Sequence, residues 1–383
     1  MRFTLCQISN QLINPPIGGL AEEFYEAIWQ NKADDGYWKP EHFWELPQWM
    51  AEVTYTIPRT HYVDLLVIHD DRQKKFLAPD SIHMFSVMDV NRDHIEEIVS
   101  INPHVTFVLG GYTKLLRDYD NVTWCDSVGY FAMEFGFTYL RGTDYSLFIG
   151  ADCIPRLTLS TGCKFKCKFC IVPDEVVERS HYEILQQADS FRDLEFKLVY
   201  VNDKTWGQAS NYKYLAGVYD FIKQYNPRFE GFIVQTTAGI VVKMDDDVFR
   251  RCHVKVVEIG VETFNDDLLQ RYRKPTSCLT TTRAVHKLSK LGIKCIANVI
   301  LGLPGETLAT YSSTLLFLRQ ADLYALNIYM LAAYDDSDLN IEVGDGDKDE
   351  LNDSRSFWTD EERDAFDLWS PSFYILGKKI VEV

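Results

Sequence analysis

Three cysteines within eight residues, Cys163, Cys167 and Cys170, follow the strand-like run Pro155-Arg-Leu-Thr-Leu-Ser-Thr-Gly162. Their spacing of four and then three constrains the fold more than any other stretch. Thiolates are soft ligands for iron–sulfur, zinc or copper, and this spacing lets one loop wrap a single centre. Only three are clustered. An iron–sulfur cube here would leave its fourth iron without a local ligand, open to a substrate or cofactor. A zinc knot on the same thiols needs a fourth ligand, with Cys153 or a distant histidine as candidates. Structural zinc more often draws on two Cys-x-x-Cys-like pairs, and no second pair occurs.

A chain of 383 residues has room for two or three domains. Nine cysteines, an odd number with three clustered, fit an intracellular metalloprotein better than a disulfide framework, which implies a cytoplasmic setting. No apolar run approaches the roughly 20 residues needed to span a bilayer. The N-terminus reaches Gln7, Ser9 and Asn10 too soon for a signal peptide. A formal charge of -17 argues against a largely non-specific nucleic-acid binder. Much of it is local, since residues 335–367 carry 14 acids against three bases.

The patterning predicts an α/β chain. Up to about residue 150 it reads as strands at Phe3–Ile8, Tyr62–His69, Ile82–Val87 and Val105–Gly111, with helices at Ala21–Gln30 and Asp93–Ile101. Pro15-Pro16-Ile17-Gly18 makes a rigid turn, and residues 31–58, rich in tryptophan and proline, read as an irregular layer. Such alternation argues for a doubly wound parallel sheet, whose carboxyl edge carries the ligand crevice. From 155 to about 330 six strands are expected, at Leu157–Ser160, Phe196–Val201, Gly231–Thr236, Val254–Gly260, Ile293–Leu301 and Leu326–Met330. The helices between them include Tyr212–Tyr225, Thr280–Leu291 (capped by Thr280, Thr281 or Thr282) and Leu308–Ala321. Beyond 331 the chain is acidic. Thr359-Asp-Glu-Glu362 can cap a helix through Trp369, Phe373–Leu376 reads as a closing strand, and Asp345–Glu350 as a solvated acidic loop.

The Cys-x-x-x-Cys-x-aromatic-Cys pattern, with Phe169 before the last cysteine, resembles the signature of the radical S-adenosylmethionine (radical SAM) enzymes. That resemblance implies a partial (β/α)6 barrel at 151–330 holding a [4Fe–4S] cluster on Cys163, Cys167 and Cys170, with S-adenosylmethionine at the open iron. It gives roles to further residues. Asn202 and Asp203, ending the second strand, would contact the methionyl amine. Glu262, in Glu258-Ile-Gly-Val-Glu-Thr263, would reach toward the cofactor. Ile300 and Gly302, in Ile300-Leu-Gly-Leu-Pro-Gly305, would run along the adenine, and Thr236 and Phe169 would line the same site. Taken without the resemblance, Asp203 is a helix cap, Glu262 a solvated carboxylate and the glycines a loop. Lys164, Lys166 and Lys168 either favour a reduced cluster or face solvent.

Residues 1–150 resemble the N-terminal cobalamin-binding-type domain carried by a large class of these enzymes. The resemblance rests on Pro15, Pro16 and Gly18 after the first strand, then Asn102 and Pro103 before a strand ending in Gly110-Gly111. It implies cobalamin as a further cofactor at Gly110 and Gly111, but the Asp-x-His-x-x-Gly that supplies the usual cobalt ligand is missing. On sequence alone the balance tips narrowly against the corrinoid. Cys6-Gln-Ile-Ser-Asn10 faintly resembles the first cysteine of the methylthiotransferases, but the next cysteines, Cys125 and Cys153, do not match their spacing. Cys6 reads better as a small buried hydrophobe. The expected whole is three segments: 1–150 cobalamin-binding-like, 151–330 the barrel, and 331–383 a small acidic extension. Its implied partners are an external one-electron donor such as flavodoxin or ferredoxin and an unidentified substrate, a small molecule or peptide sooner than nucleic acid. A non-catalytic iron–sulfur scaffold or redox sensor is the competing class.

Overall fold

The structure is a computed structural model that describes residues 1–13, 19–32, 48–88, 90–150, 154–331, 338–339 and 358–382. Pro15, Pro16 and Gly18, Cys153 and the acidic loop at 345–350 lie outside the described residues. By their contacts the residues form two compact units, one of 1–17, 39–156 and 185–196, the other of 18–38, 157–184 and 197–383. Two segments thus group differently from a simple cut at residue 150.

The first unit is built on a parallel sheet of β1 (Arg2–Ile8), β2 (Tyr62–Ile68), β3 (Ile82–Val87), β4 (Thr106–Gly111) and β5 (Val122–Trp124), in the order β2-β1-β3-β4-β5. Central β1 buries Phe3, Leu5, Cys6 and Ile8, as a strand covered on both faces must. Helix Arg92–Ile101 adds Ile95, Ile98 and Val99 to this core at helical spacing. The order reverses between β1 and β3, the switch point where such sheets open a crevice. Gly110 and Gly111 have their own local reason. A Cβ on Gly110 would lie 2.7 Å from the Cys125 carbonyl oxygen, and one on Gly111, at φ +122°, 2.1 Å from that of Val87. Residues 48–56, expected to be irregular, form a helix, Gln48–Thr56, that buries Met50, Ala51 and Val53.

The second unit carries β6 (Arg156–Leu157), β7 (Ser160–Thr161), β8 (Val177–Glu178), β9 (Leu198–Val201), β10 (Gly231–Thr236), β11 (Val254–Glu262), β12 (Lys294–Leu301) and β13 (Ala325–Met330). Six of these form one sheet in the order β13-β12-β11-β10-β9-β6, and β9 to β13 pair in parallel with helices between them. Each strand thus lies beside its predecessor in sequence, the order of a partial (β/α)6 barrel. The chain is therefore α/β throughout, a doubly wound sheet followed by a barrel-type sheet. The strand expected at 157–160 is split. Its end pairs instead with β8 as a two-residue antiparallel ladder.

Two details of the expected helices are corrected. Helix Cys278–Lys290 is capped by Ser277, whose hydroxyl accepts from Thr280 N, so no threonine of the run 280–282 is the cap. Phe373–Leu376 is not a strand but part of one helix, Asp360–Val381. The aromatic and β-branched composition suggested a strand, whereas Ala365, Phe373, Gly377 and Val381 are buried at helical spacing. The helix Leu20–Lys32 packs on it so closely that a Cβ on Gly377 would lie 2.4 Å from the Phe24 ring. Among the described residues no helix is long and apolar enough to cross a membrane.

Candidate active site

The cysteine loop is fixed at its entry by Gly162. Its φ of +78° and the 1.9 Å that would separate a Cβ from the Glu175 carbonyl oxygen leave room for glycine alone. Cys163 N then donates to Pro173 O at 2.8 Å, closing the loop. The Gln208 amide bridges the turn, donating to Gly162 O at 2.9 Å and accepting from Lys164 N at 3.0 Å. Further on, Lys168 N donates to Tyr272 O and Lys168 O accepts from Leu339 N. The Phe169 ring packs on the cluster of Leu268, Tyr272, Leu303, Leu331 and Leu339, with Ile300 beside it. Both flanks of the loop are thereby anchored before any ligand binds.

The three thiols stay accessible. Cys163 and Cys167 are half-buried and Cys170 is exposed. Cys163 Sγ lies 3.2 Å from Thr205 Oγ1, and Cys170 Sγ accepts from Val172 N at 3.5 Å. Burial pushes the Cys167 thiol up to about 11 while the Lys274 ammonium pulls it back, so a cation is needed to draw off the proton. No three His, Cys, Asp or Glu side chains among the described residues are gathered tightly enough to hold one metal ion. A single zinc would need its thiolates converged to about 2.3 Å from one point. A cube instead offers each thiolate its own iron, so the donor set fits an iron–sulfur cluster better than zinc. Of the neighbouring lysines, Lys164 and Lys166 face solvent, Lys166 pairing with Asp174 at 2.5 Å, and Lys168 is half-buried.

Strand ends bring the other expected residues toward the same sheet edge. Asp203 is buried, and its carboxylate accepts from Leu159 N, Ser160 N and Ser160 Oγ at 2.6–2.9 Å. Burial raises its pKa to about 6 despite these bonds. It caps no helix but ties the end of β9 to the segment leading into the cysteine loop. Asn202 N donates to Leu157 O, and its side chain is half-buried. The Thr236 hydroxyl is buried and donates to Trp206 O at 2.7 Å. Gly302, at φ +90°, is covered by the Trp358 indole, whose Nε1 donates to Gly302 O at 2.9 Å.

Glu262 is the most constrained of the set. It ends β11 after a register shift between Gly260 and Glu262 and holds φ +59°, a conformation uncommon outside glycine. The irregularity re-aims its side chain over Gly260, where Lys274 Nζ meets Oε1 at 2.5 Å. A Cβ on Gly260 would lie 2.4 Å from Glu262 Oε1 and 2.5 Å from Lys274 Nζ, so the glycine vacates the space that this buried pair fills. Glu262 is not the solvated carboxylate that composition alone would suggest.

Sequence reasoning missed several residues that line the same sheet. Register and alternation put Glu258, Asn298 and Asn327 on one face of β11, β12 and β13. All three are buried, with Tyr200 Oη donating to Glu258 at 3.0 Å and Asn327 Nδ2 to Asn298 Oδ1 at 2.9 Å. A polar inner face opposed to an apolar outer one was legible as alternation. Lys274 carried no signal, since no motif marks the segment it shares with Arg271 and Arg273.

The radical SAM superfamily profile matches residues 157–318. Curated relatives include the ribosomal protein uS12 methylthiotransferase RimO of Francisella tularensis subsp. novicida, 23% identical over 193 residues, 44% of this chain and 42% of that one. The threonylcarbamoyladenosine tRNA methylthiotransferase MtaB of Bacillus subtilis is 24% identical over 193 residues, 45% and 41% of the two chains. The chain thus spans less than half the length of these relatives. Among solved structures, the radical SAM methyltransferase TsrM of Kitasatospora setae, with tryptophan and a SAM analogue bound, aligns at TM-score 0.59 and 14% identity. That alignment covers 90% of this chain and 76% of TsrM. The cobalamin-dependent enzyme OxsB, with aqua-cobalamin and S-adenosylmethionine bound, aligns at TM-score 0.57 and 15% identity over 93% of this chain and 56% of its own. What these two share with the chain is the fold, the first sheet included.

Proposed function

We propose, for a chain whose residues 157–318 form a radical SAM domain, that the protein is an enzyme modifying an unidentified substrate by radical chemistry. The observation that carries this reading is the anchored loop of three accessible thiols beside a parallel barrel-type sheet with a buried polar face. When bound, a [4Fe–4S] cluster supplies the electron that cleaves S-adenosylmethionine to methionine and a 5′-deoxyadenosyl radical. Cys163, Cys167 and Cys170 would hold that cluster, with Phe169 fixing the loop against its apolar neighbours. Asn202 would take the methionyl amine, and Asp203 would act through it by locking the strand end. Glu262 and Thr236 would face the cofactor, and the backbone from Ile300 to Gly302 would run along the adenine. The inner polar face of Glu258, Asn298 and Asn327 would orient substrate. Radical SAM enzymes need an external electron donor, and a flavodoxin or ferredoxin fits a cytoplasmic protein of this kind. The three segments 1–150, 151–330 and 331–383 stand as the proposed domains.

Anaerobic reconstitution tests this directly. The protein should bind four irons and four sulfides, and after reduction convert S-adenosylmethionine to 5′-deoxyadenosine and methionine. Cys163→Ala should abolish both, whereas Cys278→Ala, with its thiol outside the loop, should leave the cluster intact. Stoichiometric zinc without sulfide would sink the reading. A full cluster with no cofactor binding would leave a non-catalytic iron–sulfur protein.

A corrinoid-dependent subclass is favoured by one observation. The fold shared with TsrM and OxsB includes the doubly wound first sheet, and a TsrM structure holds cobalamin beside its [4Fe–4S] cluster. Sequence leaned narrowly the other way because a histidine motif was missing. The shared sheet supports retention of a corrinoid without that ligand, and methyl transfer as the reaction.

A further inference from the structure

Lys274 enters no reading of the sequence, yet its ammonium lies in the interior beside the cysteine loop. Its side chain is 11% exposed and bonded to Glu262 at 2.5 Å, with the Nζ 6.0 Å from the Phe169 ring centroid. Three features at the end of β11 accommodate it. The register shifts, Glu262 takes a left-handed φ, and Gly260 gives up the volume that the pair occupies. A surface ion pair needs none of these, and a buried pair kept only for stability is often replaceable by apolar packing. The arrangement therefore serves something else nearby.

What lies nearby is the cysteine loop. The Phe169 ring, 6.0 Å from Lys274 Nζ, belongs to the residue between Cys167 and Cys170, and Lys168 N of the same loop donates to Tyr272 O, two residues before Lys274. Burial would push Lys274 down, but the Glu262 carboxylate bonded to it at 2.5 Å holds the proton on the ammonium. A fixed cation in a low-dielectric wall acts strongly on charge created beside it. Reduction of a cluster held by these cysteines adds one negative charge there.

Resting on the proposed cluster, we infer that Lys274 is a positioning residue that stabilises the reduced state of that cluster, with Glu262 holding its ammonium in place. The cation makes the cluster easier to reduce by a physiological donor. It touches no reacting atom.

The test is an anaerobic redox titration of the reconstituted protein, read by the electron paramagnetic resonance signal of the reduced cluster. At the wild-type midpoint the ratio of reduced to oxidised cluster in Lys274→Met should fall at least tenfold, equivalent to 59 mV for one electron. Lys274→Arg, which keeps the charge, should restore the ratio to within about threefold, since an arginine preserves cation but not shape. A Lys274→Met protein that loads its cluster and titrates like wild type overturns the inference. Should that variant lose its thermal unfolding transition, Lys274→Gln, which keeps a polar group beside Glu262 without the charge, decides. Its ratio should fall by the same tenfold or more, and an unchanged ratio overturns the inference equally. A wild-type protein that takes up no cluster would instead mark failure of the functional reading beneath it.

Discussion

Glu306 closes the loop after β12 with 3% of its surface exposed and Oε2 without a hydrogen-bond partner among the described residues. Burial drives its carboxyl from the ordinary range up to about 7, with the Tyr311 and Thr263 hydroxyls and the Gly302 and Leu303 backbone pulling the other way. The folded state therefore holds this proton more tightly than the unfolded chain, whose reference is 4.5. Its contribution to stability is complete below 4.5 and is lost as pH climbs toward 7. Glu306→Gln keeps the shape without the charge. Its melting temperature should change less between pH 5 and 7.5 than that of the parent, and its unfolding free energy should be the higher at pH 8, by on the order of 3 kcal/mol. Parallel slopes for the two proteins in a pH series of thermal melts would refute this. The glutamate is visible in the sequence as the last residue of Gly302-Leu-Pro-Gly-Glu306, but its burial is not. Glu262 and Lys274 repeat that lesson. A motif marked the carboxylate, while its cation lay twelve positions on in a segment that no motif marks.

At the scale of elements, periodicity located most strands of both sheets, because buried parallel strands are continuous apolar runs, but it missed the short β5. It failed where a segment's partner lies far away in sequence. Ala21–Gln30 reads as a helix, but nothing local says that Phe24 meets Gly377 of the C-terminal helix. That helix continues past Trp369, with Pro371 inside it, through the segment expected as a strand. Its start was legible as Thr359-x-x-Glu362, and the capping box is present, with Thr359 N donating to Glu362 Oε2 at 2.7 Å. A second contact was not legible. Glu362 Oε1 accepts from Gly305 N at 2.5 Å, so one carboxylate both starts the helix and pins the loop after β12. Glu362→Ala removes a charged acceptor from two backbone donors and should cost about 2–4 kcal/mol. Thr359→Ala, losing only the cap, should cost about 1 kcal/mol. Denaturant unfolding of both variants separates the two roles, and equal losses would show that the Gly305 contact adds nothing.

For the molecule as a whole, the cysteine loop announced one unit and the alternation of elements announced the other, but neither disclosed what the first sheet is for. Gly110 and Gly111 suggested a ligand, and they turn out to admit close backbone packing against Val87 and Cys125. A ligand argument must therefore rest on topology. The order β2-β1-β3-β4-β5 places the switch point between β1 and β3, where Ser9 follows one strand and Met88 the other. His94, the first-turn imidazole of the helix after β3, is engaged by Lys74 Nζ at 3.1 Å and by Leu12 O at 3.1 Å. Both of its ring nitrogens are taken, so a corrinoid in this crevice would keep a cobalt free of that imidazole. Incubation with hydroxocobalamin under anaerobic conditions, followed by desalting, should leave about one corrinoid per chain, with an absorption spectrum lacking the signature of an imidazole ligand. His94→Ala should not change that spectrum, since the ring serves the fold. Loss of the corrinoid on desalting at micromolar protein would refute the corrinoid reading. The radical SAM domain would then stand with a first unit that only supports it, and methyl transfer would give way to the other radical reactions.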